Sequence, residues 1–319
     1  MDRVLDPTTI AVIRGGNLHH NHSLKTGSTF LHALRSFFSK KQQSDAAIKD
    51  IYINKEGNWH VSGFKSEPHE ALRGVNLVVN AMHGEYGADG KLQRLLESLG
   101  ILYTGSGASE SAISAHHGWL KRSHAQNGFQ SPRHLLLSSE DDPRERASYI
   151  FNHFHMPVVL LPTRFGRRNE AKFEQRYDLL SNTIADFIVK HGTAVVEEYI
   201  SGKQVFVPVI EQFREKEHYT PVIIEEKLSD GSFVQIQGLS DELKQKLSLE
   251  AIRAHKELGY RHVSQQKFIV TARGKTYLID SESHPQIHAE SPIGVAFSAV
   301  GAEPEVVAMH IADLALGGR

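Results

Sequence analysis

Three ionisable side chains near the C-terminus are spaced so that they could bind a cation or a charged substrate. Asp280 and Glu282 stand two residues apart at the end of an apolar run, and Lys267 precedes another such run. Alternate side chains of a β-strand point to the same face of the sheet, so a strand would present both carboxylates as a pair. The pattern fits an active-site floor with a lysine beside two acids, or simply the solvated acidic end of a hairpin.

The flanking segments predict the elements that would hold these groups. Residues 268–271 and 275–279 are rich in β-branched and apolar side chains, and the Gly274 turn between them predicts a hairpin. At the other end of the chain, a buried-type strand at 9–13 runs into two glycines, and a helix is predicted from about Ser28 to Lys40. Strand, glycine turn and helix are typical of the opening of an α/β domain. A second helix is predicted from Leu239 to Leu258, and a final one from about Gly294 to Leu314.

Composition limits the class of protein. The chain has 319 residues, which favours two or three domains, and its 40% hydrophobic and 23% charged residues are ordinary for a globular protein. No apolar run is long enough to span a membrane. The absence of cysteine excludes thiol catalysis and thiolate metal sites, and the N-terminus lacks the apolar core of a signal peptide, so we expect a cytoplasmic protein. A net charge of -1 gives no reason to expect nucleic acid as a partner.

Two glycine-rich segments carry the most specific signal. The first runs from His83 to Gln93 as His-Gly-Glu-Tyr-Gly-Ala-Asp-Gly-Lys-Leu-Gln, and the second, Tyr103 to Gly107, reads Tyr-Thr-Gly-Ser-Gly. Both resemble motifs of the D-alanine-D-alanine ligase family of ATP-grasp enzymes, with Ala88 replacing a glutamate. The segment 280–288, followed by Ser291, resembles the C-terminal signature of the same family.

The resemblance covers essentially the whole chain and implies a fold and a domain plan. The implied class is α/β with ATP-grasp architecture, in which an N-terminal open parallel sheet domain is followed by two lobes that enclose a nucleotide cleft. The implied domains are a substrate domain at 1–107, a central lobe at 108–193 and a C-terminal lobe at 194–319. The implied partners are a small-molecule nucleotide or amino acid, and the resemblance allows a homodimer.

The resemblance also assigns positions to ATP, several of them with changed residues. A histidine stands at the first lysine position, a leucine at the second, and two arginines replace hydroxyl donors in the loop over the phosphates. Arginine can offer bidentate contacts to an anion, whereas leucine cannot donate a hydrogen bond. The implied nucleotide-binding positions are His117, Lys121, Leu161, Arg167, Arg168, Glu198 and Gln204.

Magnesium and substrate positions are changed as well. The implied magnesium ligands are Asp280 and Glu282, with Lys267 at the third ligand position, where an ammonium would repel the ion and could substitute for it. The implied catalytic positions, mostly substituted, are His20, Gln265 and Ser291; the family has glutamate at the first and arginine at the second.

Two hypotheses about function follow. The first is a catalytically degenerate D-alanine-D-alanine ligase homologue, a pseudoenzyme with weak or no ligase activity, because loss of one charge-stabilising group commonly costs about 10²-fold in rate. The alternative is an active ATP-dependent ligase that joins D-alanine or a related amino acid for peptidoglycan precursor and cell-wall synthesis. A third idea is a transition-metal site built from His19, His20, His22 and either His284 or His288.

Overall fold

The computed structural model describes residues 9–40, 48–164, 170–227 and 229–317. The chain divides into two compact units. The larger unit comprises Met1–Ala112, Val205–Gln266 and Ser281–Arg319, and the smaller comprises Ile113–Gln204 and Lys267–Asp280. The three-domain division at residues 107 and 193 stays a prediction.

The larger unit begins with a mixed sheet. Its strands are β1 (Ile10–Gly15), β2 (Ile48–Ile53), β3 (Trp59–Val61), β4 (Phe64–Ser66), β5 (Leu77–Asn80) and β6 (Leu102–Tyr103). Its helices are α1 (His20–Lys40), α2 (Pro68–Ala71) and α3 (Lys91–Ser98). The strand order is β4-β3-β2-β1-β5-β6. Strands β2, β1, β5 and β6 are parallel, whereas β3 is antiparallel to both of its neighbours, β2 and β4. Both faces of the central strand β1 are buried, because Ile10 and Val12 cluster with apolar residues of α1, and Ala11 and Ile13 cluster with apolar residues of α3.

Helix α1 begins eight residues before the predicted start at Ser28. Gly27 and three nearby histidines weaken the helical signal in the sequence, which led to the wrong boundary. Gly27 is needed inside the helix because a Cβ atom there would lie 2.6 Å from Cδ of Arg14. Close packing of α1 on β1 therefore outweighs the low helix propensity of glycine.

The smaller unit is built around an antiparallel sheet. Helix α4 (Ala108–Ser114) leads into it, and its own elements are α5 (His117–Gln126), β7 (His134–Ser138), α6 (Pro143–His153), β8 (Val158–Pro162), β9 (Lys172–Glu174), α7 (Tyr177–His191) and β10 (Thr193–Glu198). The strand order is β7-β10-β8-β9. Ile150 of α6 and Ile184 of α7 belong to one buried cluster with Leu160 and Val196 of the sheet, which fixes the helices on one face.

A third sheet follows. Its strands are β11 (Lys203–Phe213), β12 (Lys216–Tyr219), β13 (Ile224–Glu226), β14 (Phe233–Gln235), β15 (Val263–Val270) and β16 (Thr276–Glu282). The order is β14-β13-β11-β15-β16, and β12 pairs with β11. Strands β15 and β16 confirm the predicted hairpin, whose turn contains Gly274 at φ 75°.

The remaining helices are α8 (Asp241–Glu257), α9 (Pro292–Ser298) and α10 (Pro304–Leu316). The predicted start of α8 is confirmed, since the Ser240 side chain accepts a hydrogen bond from the Leu243 backbone. The predicted single final helix is wrong. Gly301 adopts φ 75° between α9 and α10, and Pro304 starts the second helix, so the chain turns there instead of continuing as one helix.

Within the described parts of the chain, no helix combines the length and the apolar character that crossing a membrane requires.

Candidate active site

In the larger unit, the glycine loop after β1 positions the start of α1. Gly15 has φ 102°, and a Cβ atom there would lie 2.1 Å from the Ile53 carbonyl oxygen, so only glycine fits. The Ser23 hydroxyl accepts a hydrogen bond from the Gly15 backbone at 2.8 Å and donates one to Ala81. Sequence reasoning missed Ser23, which binds the loop to α1.

His20, the predicted substrate position, lies in the first turn of α1. Its Nδ1 is 2.8 Å from the Gly16 carbonyl oxygen. A carbonyl only accepts hydrogen bonds, so Nδ1 donates and carries a proton. The imidazole therefore closes the glycine loop. A neutral ring in this tautomer leaves Nε2 as an acceptor, which cannot hold an ammonium group as tightly as a carboxylate would.

A buried pair of imidazoles lies behind this loop. The rings of His83 and His284 are 5.2 Å apart between centroids, and Nε2 of His83 is 2.9 Å from the Thr26 hydroxyl. Burial, aided by the neighbouring His284, holds the pKa of His83 well below its ordinary value. Burial also lowers the pKa of His284, to about 4. A hydrogen bond to the Met82 backbone raises this pKa, but burial is the larger effect. Both rings are therefore neutral at pH 7.

The histidines of the proposed metal site do not converge. His22 stacks on His288 with 5.7 Å between ring centroids, and His19 lies 6.2 Å from His22. Among the described residues, three metal-ligand atoms come within 4.8 Å of one another in a different place, and that group contains none of these histidines. The idea of a metal site at this loop is therefore wrong for the described residues.

Gln265 and Ser291, the other predicted catalytic residues, make hydrogen bonds within the larger unit. The Gln265 amide donates to Oε2 of Glu282 at 3.2 Å. The Ser291 hydroxyl caps α9 by accepting from the Gly294 backbone at 3.1 Å, and it donates to the His288 carbonyl oxygen at 2.7 Å. Ser291 is also buried. Its observed contacts are those of a helix cap.

In the smaller unit, Lys121 is bound from two sides. Its ammonium lies 2.7 Å from Oε2 of Glu197 and donates to the Ile279 carbonyl oxygen at 2.8 Å. The side chain is 1% exposed, against 13% for Glu197. A buried ammonium requires such partners because desolvation is costly when a charge is unpaired. The sequence indicated Lys121 but not Glu197, which comes 76 positions later.

The positions of the two family lysines have different surroundings. His117 opens α5, and its Nδ1 donates to the Pro162 carbonyl oxygen at 2.8 Å. With Nδ1 protonated, Nε2 can donate to an anion only if the ring carries a second proton. Leu161 lies in β8 opposite Val195 of β10 and is half-buried. Neither residue offers a permanent positive charge.

The adenine and ribose positions retain one carboxylate. Glu198 accepts a hydrogen bond from the His155 backbone at 2.9 Å and lies 4.0 Å from Nε of Arg133. Gln204 is exposed on β11. The two arginines of the phosphate loop, Arg167 and Arg168, lie outside the described residues, so their role stays a prediction.

The magnesium positions lie on the predicted hairpin. Asp280 and Glu282 are half-buried on β16, and Lys267 is buried on β15. One Glu282 oxygen already accepts the Gln265 amide. Magnesium is held by oxygen ligands, whereas the Lys267 ammonium repels the ion and the Gln265 amide already occupies one oxygen of Glu282. These residues do not fit the binding of a magnesium nucleotide in the way the family resemblance implies.

Comparison with known proteins identifies the family. No protein-family model matches the chain. A D-alanine-D-alanine ligase of Trichlorobacter lovleyi is 30% identical over 227 residues, which cover 68% of this chain and 70% of the relative.

Solved structures share the fold. D-alanyl-alanine synthetase A of Vibrio cholerae superposes with a TM-score of 0.83 at 19% identity, covering 98% of this chain and 99% of the other. A D-alanine-D-alanine ligase of Bacillus anthracis, complexed with ATP, gives 0.76 at 20% identity over 97% of each chain. The predicted α/β class with an ATP-grasp fold is confirmed. By sequence and by fold, the chain belongs to the D-alanine-D-alanine ligase family.

Proposed function

We propose that the protein is a D-alanine-D-alanine ligase-like ATP-grasp protein with weak or no ligase activity, acting by binding a small molecule or another protein. The observation that carries the proposal is Lys121, whose ammonium is buried and bound by Glu197 and Ile279. Glu197 and the Ile279 carbonyl take two of the three N–H donors, so this lysine supports the unit internally and has at most one donor for a phosphate. We also propose that the protein is cytoplasmic and that its chain forms the three domains expected from the family resemblance.

The other charged positions support the same conclusion. Ligation by an ATP-grasp enzyme depends on cations that stabilise the charge of the transferred phosphoryl group. Here a leucine and an imidazole stand at two of those positions, Leu161 and His117, and Gln265 replaces the arginine that the family resemblance implies. Each loss commonly costs about 10²-fold or more in rate, although such losses are not additive.

Phosphate release tests the proposal. We expect the full chain, incubated with ATP, magnesium and D-alanine, to release phosphate at least about 10²-fold more slowly than the relative from Trichlorobacter lovleyi measured beside it. A calorimetric titration with ATP measures nucleotide binding separately from turnover. D-alanine-dependent release within about tenfold of the relative would refute the proposal and support the active ligase. Omission of D-alanine controls for contaminating phosphatases.

Magnesium gives an independent test, because Lys267 stands at a ligand position. We expect millimolar magnesium to leave the melting temperature of the native protein unchanged, and Lys267→Asp to create a magnesium-dependent rise. The exposed Lys275→Asp makes the same charge change near the turn and is the matched control. A magnesium response with Lys267 intact would show that the ion still binds and would contradict the substitution of lysine for the metal.

A further inference from the structure

Two histidines and a glutamate converge in the larger unit, outside the positions that the family resemblance assigns. Glu211, His218 and His255 each offer one ligand atom, and these atoms all lie within 4.8 Å of one another. We propose that this cluster binds a divalent transition metal of the zinc class. Both the ion and its ligands differ from those of the nucleotide site, so metal binding here does not depend on the proposed function.

The fold brings the three residues together from different elements. Glu211 of β11 is the antiparallel partner of His218 of β12. Directly opposed residues of an antiparallel pair place their Cβ atoms about 5 Å apart on one face of the sheet. His255 comes from α8, and its ring centroid lies 5.4 Å from that of His218. A bound ion would cross-link the β11-β12 hairpin to α8.

Neighbouring groups orient two of the three ligands, His255 and Glu211. Nδ1 of His255 is 2.7 Å from the Ser264 hydroxyl, which is buried and also accepts the Gln266 amide at 2.8 Å. The His262 backbone donates to Oε2 of Glu211 at 2.8 Å. These contacts turn Nε2 of His255 toward Oε1 of Glu211, at 3.1 Å. Such outer partners are what fix the tautomer and direction of metal ligands.

The dimensions suit zinc. Bonds of 2.0–2.2 Å from a tetrahedral ion place neighbouring ligand atoms about 3.4 Å apart. Nε2 of His255 and Oε1 of Glu211 are 3.1 Å apart, which is close to this value. The ligand atom of His218 lies within 4.8 Å of the other two ligand atoms. His218 and Glu211 remain partly exposed, so water could complete the coordination. Two imidazoles and one carboxylate favour zinc over magnesium, which prefers oxygen ligands.

Charged side chains border the cluster on the β12 side. Oε1 of Glu217 lies 3.4 Å from Nδ1 of His218. The Lys256 ammonium lies 3.4 Å from Oε1 of Glu217, which offsets its charge.

The competing explanation is a hydrogen-bonded pair with no ion. In that case Nε2 of His255 carries a proton and donates it to Glu211, while His218 is a bystander on the hairpin. The two explanations differ in what removal of His218 does. A metal site loses one of three protein ligands, whereas the hydrogen bond between His255 and Glu211 is unaffected.

Zinc and cobalt titrations of the full chain distinguish the explanations. We expect one zinc ion to bind tightly by calorimetry, and cobalt(II) at the same site to give the intense visible absorption of a four-coordinate complex. His218→Ala should weaken this site by at least about tenfold, the effect usual for losing a group that supports a metal. Glu211→Gln keeps an acceptor for the His262 backbone but removes the anionic ligand, and it should weaken the site similarly.

A matched control separates this site from adventitious binding, since the chain contains 20 histidines. His69 is exposed on α2 of the same unit, and His69→Ala should leave the stoichiometry and affinity unchanged. Millimolar magnesium should not displace the cobalt. Equal zinc affinity in the native protein, His218→Ala and Glu211→Gln, or a cobalt spectrum that the substitutions leave unaltered, would overturn the proposal.

Discussion

Replacement of Lys121 by methionine is expected to destabilise the protein by about 3–5 kcal/mol, the usual cost of removing one partner of a buried ion pair. Methionine matches the length of the lysine stem and leaves little space unfilled. The loss arises because Glu197, which is mostly buried, would keep a negative charge without its ammonium, and because the Ile279 carbonyl would lose its donor. Urea denaturation of the variant and the native protein measures the difference.

Two further variants isolate the origin of the loss. The double variant Lys121→Met/Glu197→Gln removes both charges and should recover most of the stability, because a neutral pair carries no uncompensated charge. Lys190→Met removes a largely exposed ammonium 3.3 Å from Glu170 and should change the free energy of unfolding by less than about 1 kcal/mol. A stable Lys121→Met that binds ATP more weakly than the native protein would contradict the structural role and assign the lysine to nucleotide.

Sequence patterns located the backbone of the site better than its side-chain contacts. The hairpin of β15 and β16 was predictable because β-branched runs and a glycine turn depend on local chemistry. The motif implies a catalytic position at Ser291, which stays a prediction, but it gives no sign that the hydroxyl caps α9. A motif gives the place of a residue in the chain but does not give its hydrogen-bond partners.

Contacts between distant segments were beyond sequence reasoning. The pairing of Lys121 with Glu197, and that of Glu211 with His218, depend on strand register and on helix placement. The sequence offers no local signal for them, because neither pair has a fixed spacing like the i, i+4 positions of a helix. Helix α1 shows the same limit, since Gly27 reads as a weak helical position until its contact with Arg14 is seen.

Mild acid is expected to destabilise the protein well above the pH range in which carboxylates titrate. His284 is buried, and burial lowers its pKa to about 4, from an ordinary value of 6.5. Above pH 6.5 both folded and unfolded chains keep this ring neutral. Below it the unfolded chain takes up a proton that the folded chain refuses, so the free energy of unfolding falls as the pH drops toward 4.

The size of this effect at pH 5 is about 2 kcal/mol for His284 alone, at 1.36 kcal/mol for each pKa unit between 6.5 and 5. His83 and His288 act in the same direction, because burial lowers the pKa of each ring. Their contributions interact, since a proton on one ring opposes protonation of its neighbours. Even so, the combined loss is a large part of the free energy of unfolding of a typical folded protein, which is about 5–15 kcal/mol.

His284→Gln tests the assignment, because an amide can still donate to the Met82 backbone but does not titrate. Between pH 7 and pH 5 the variant should lose about 2 kcal/mol less stability than the native protein, whatever its stability at pH 7. His69→Gln, at an exposed position, should follow the native protein. Urea denaturation at both pH values gives the four free energies needed for each comparison. If His284→Gln and the native protein lose equal stability over this range, His284 does not account for the sensitivity to acid, and protonation of other groups must cause it.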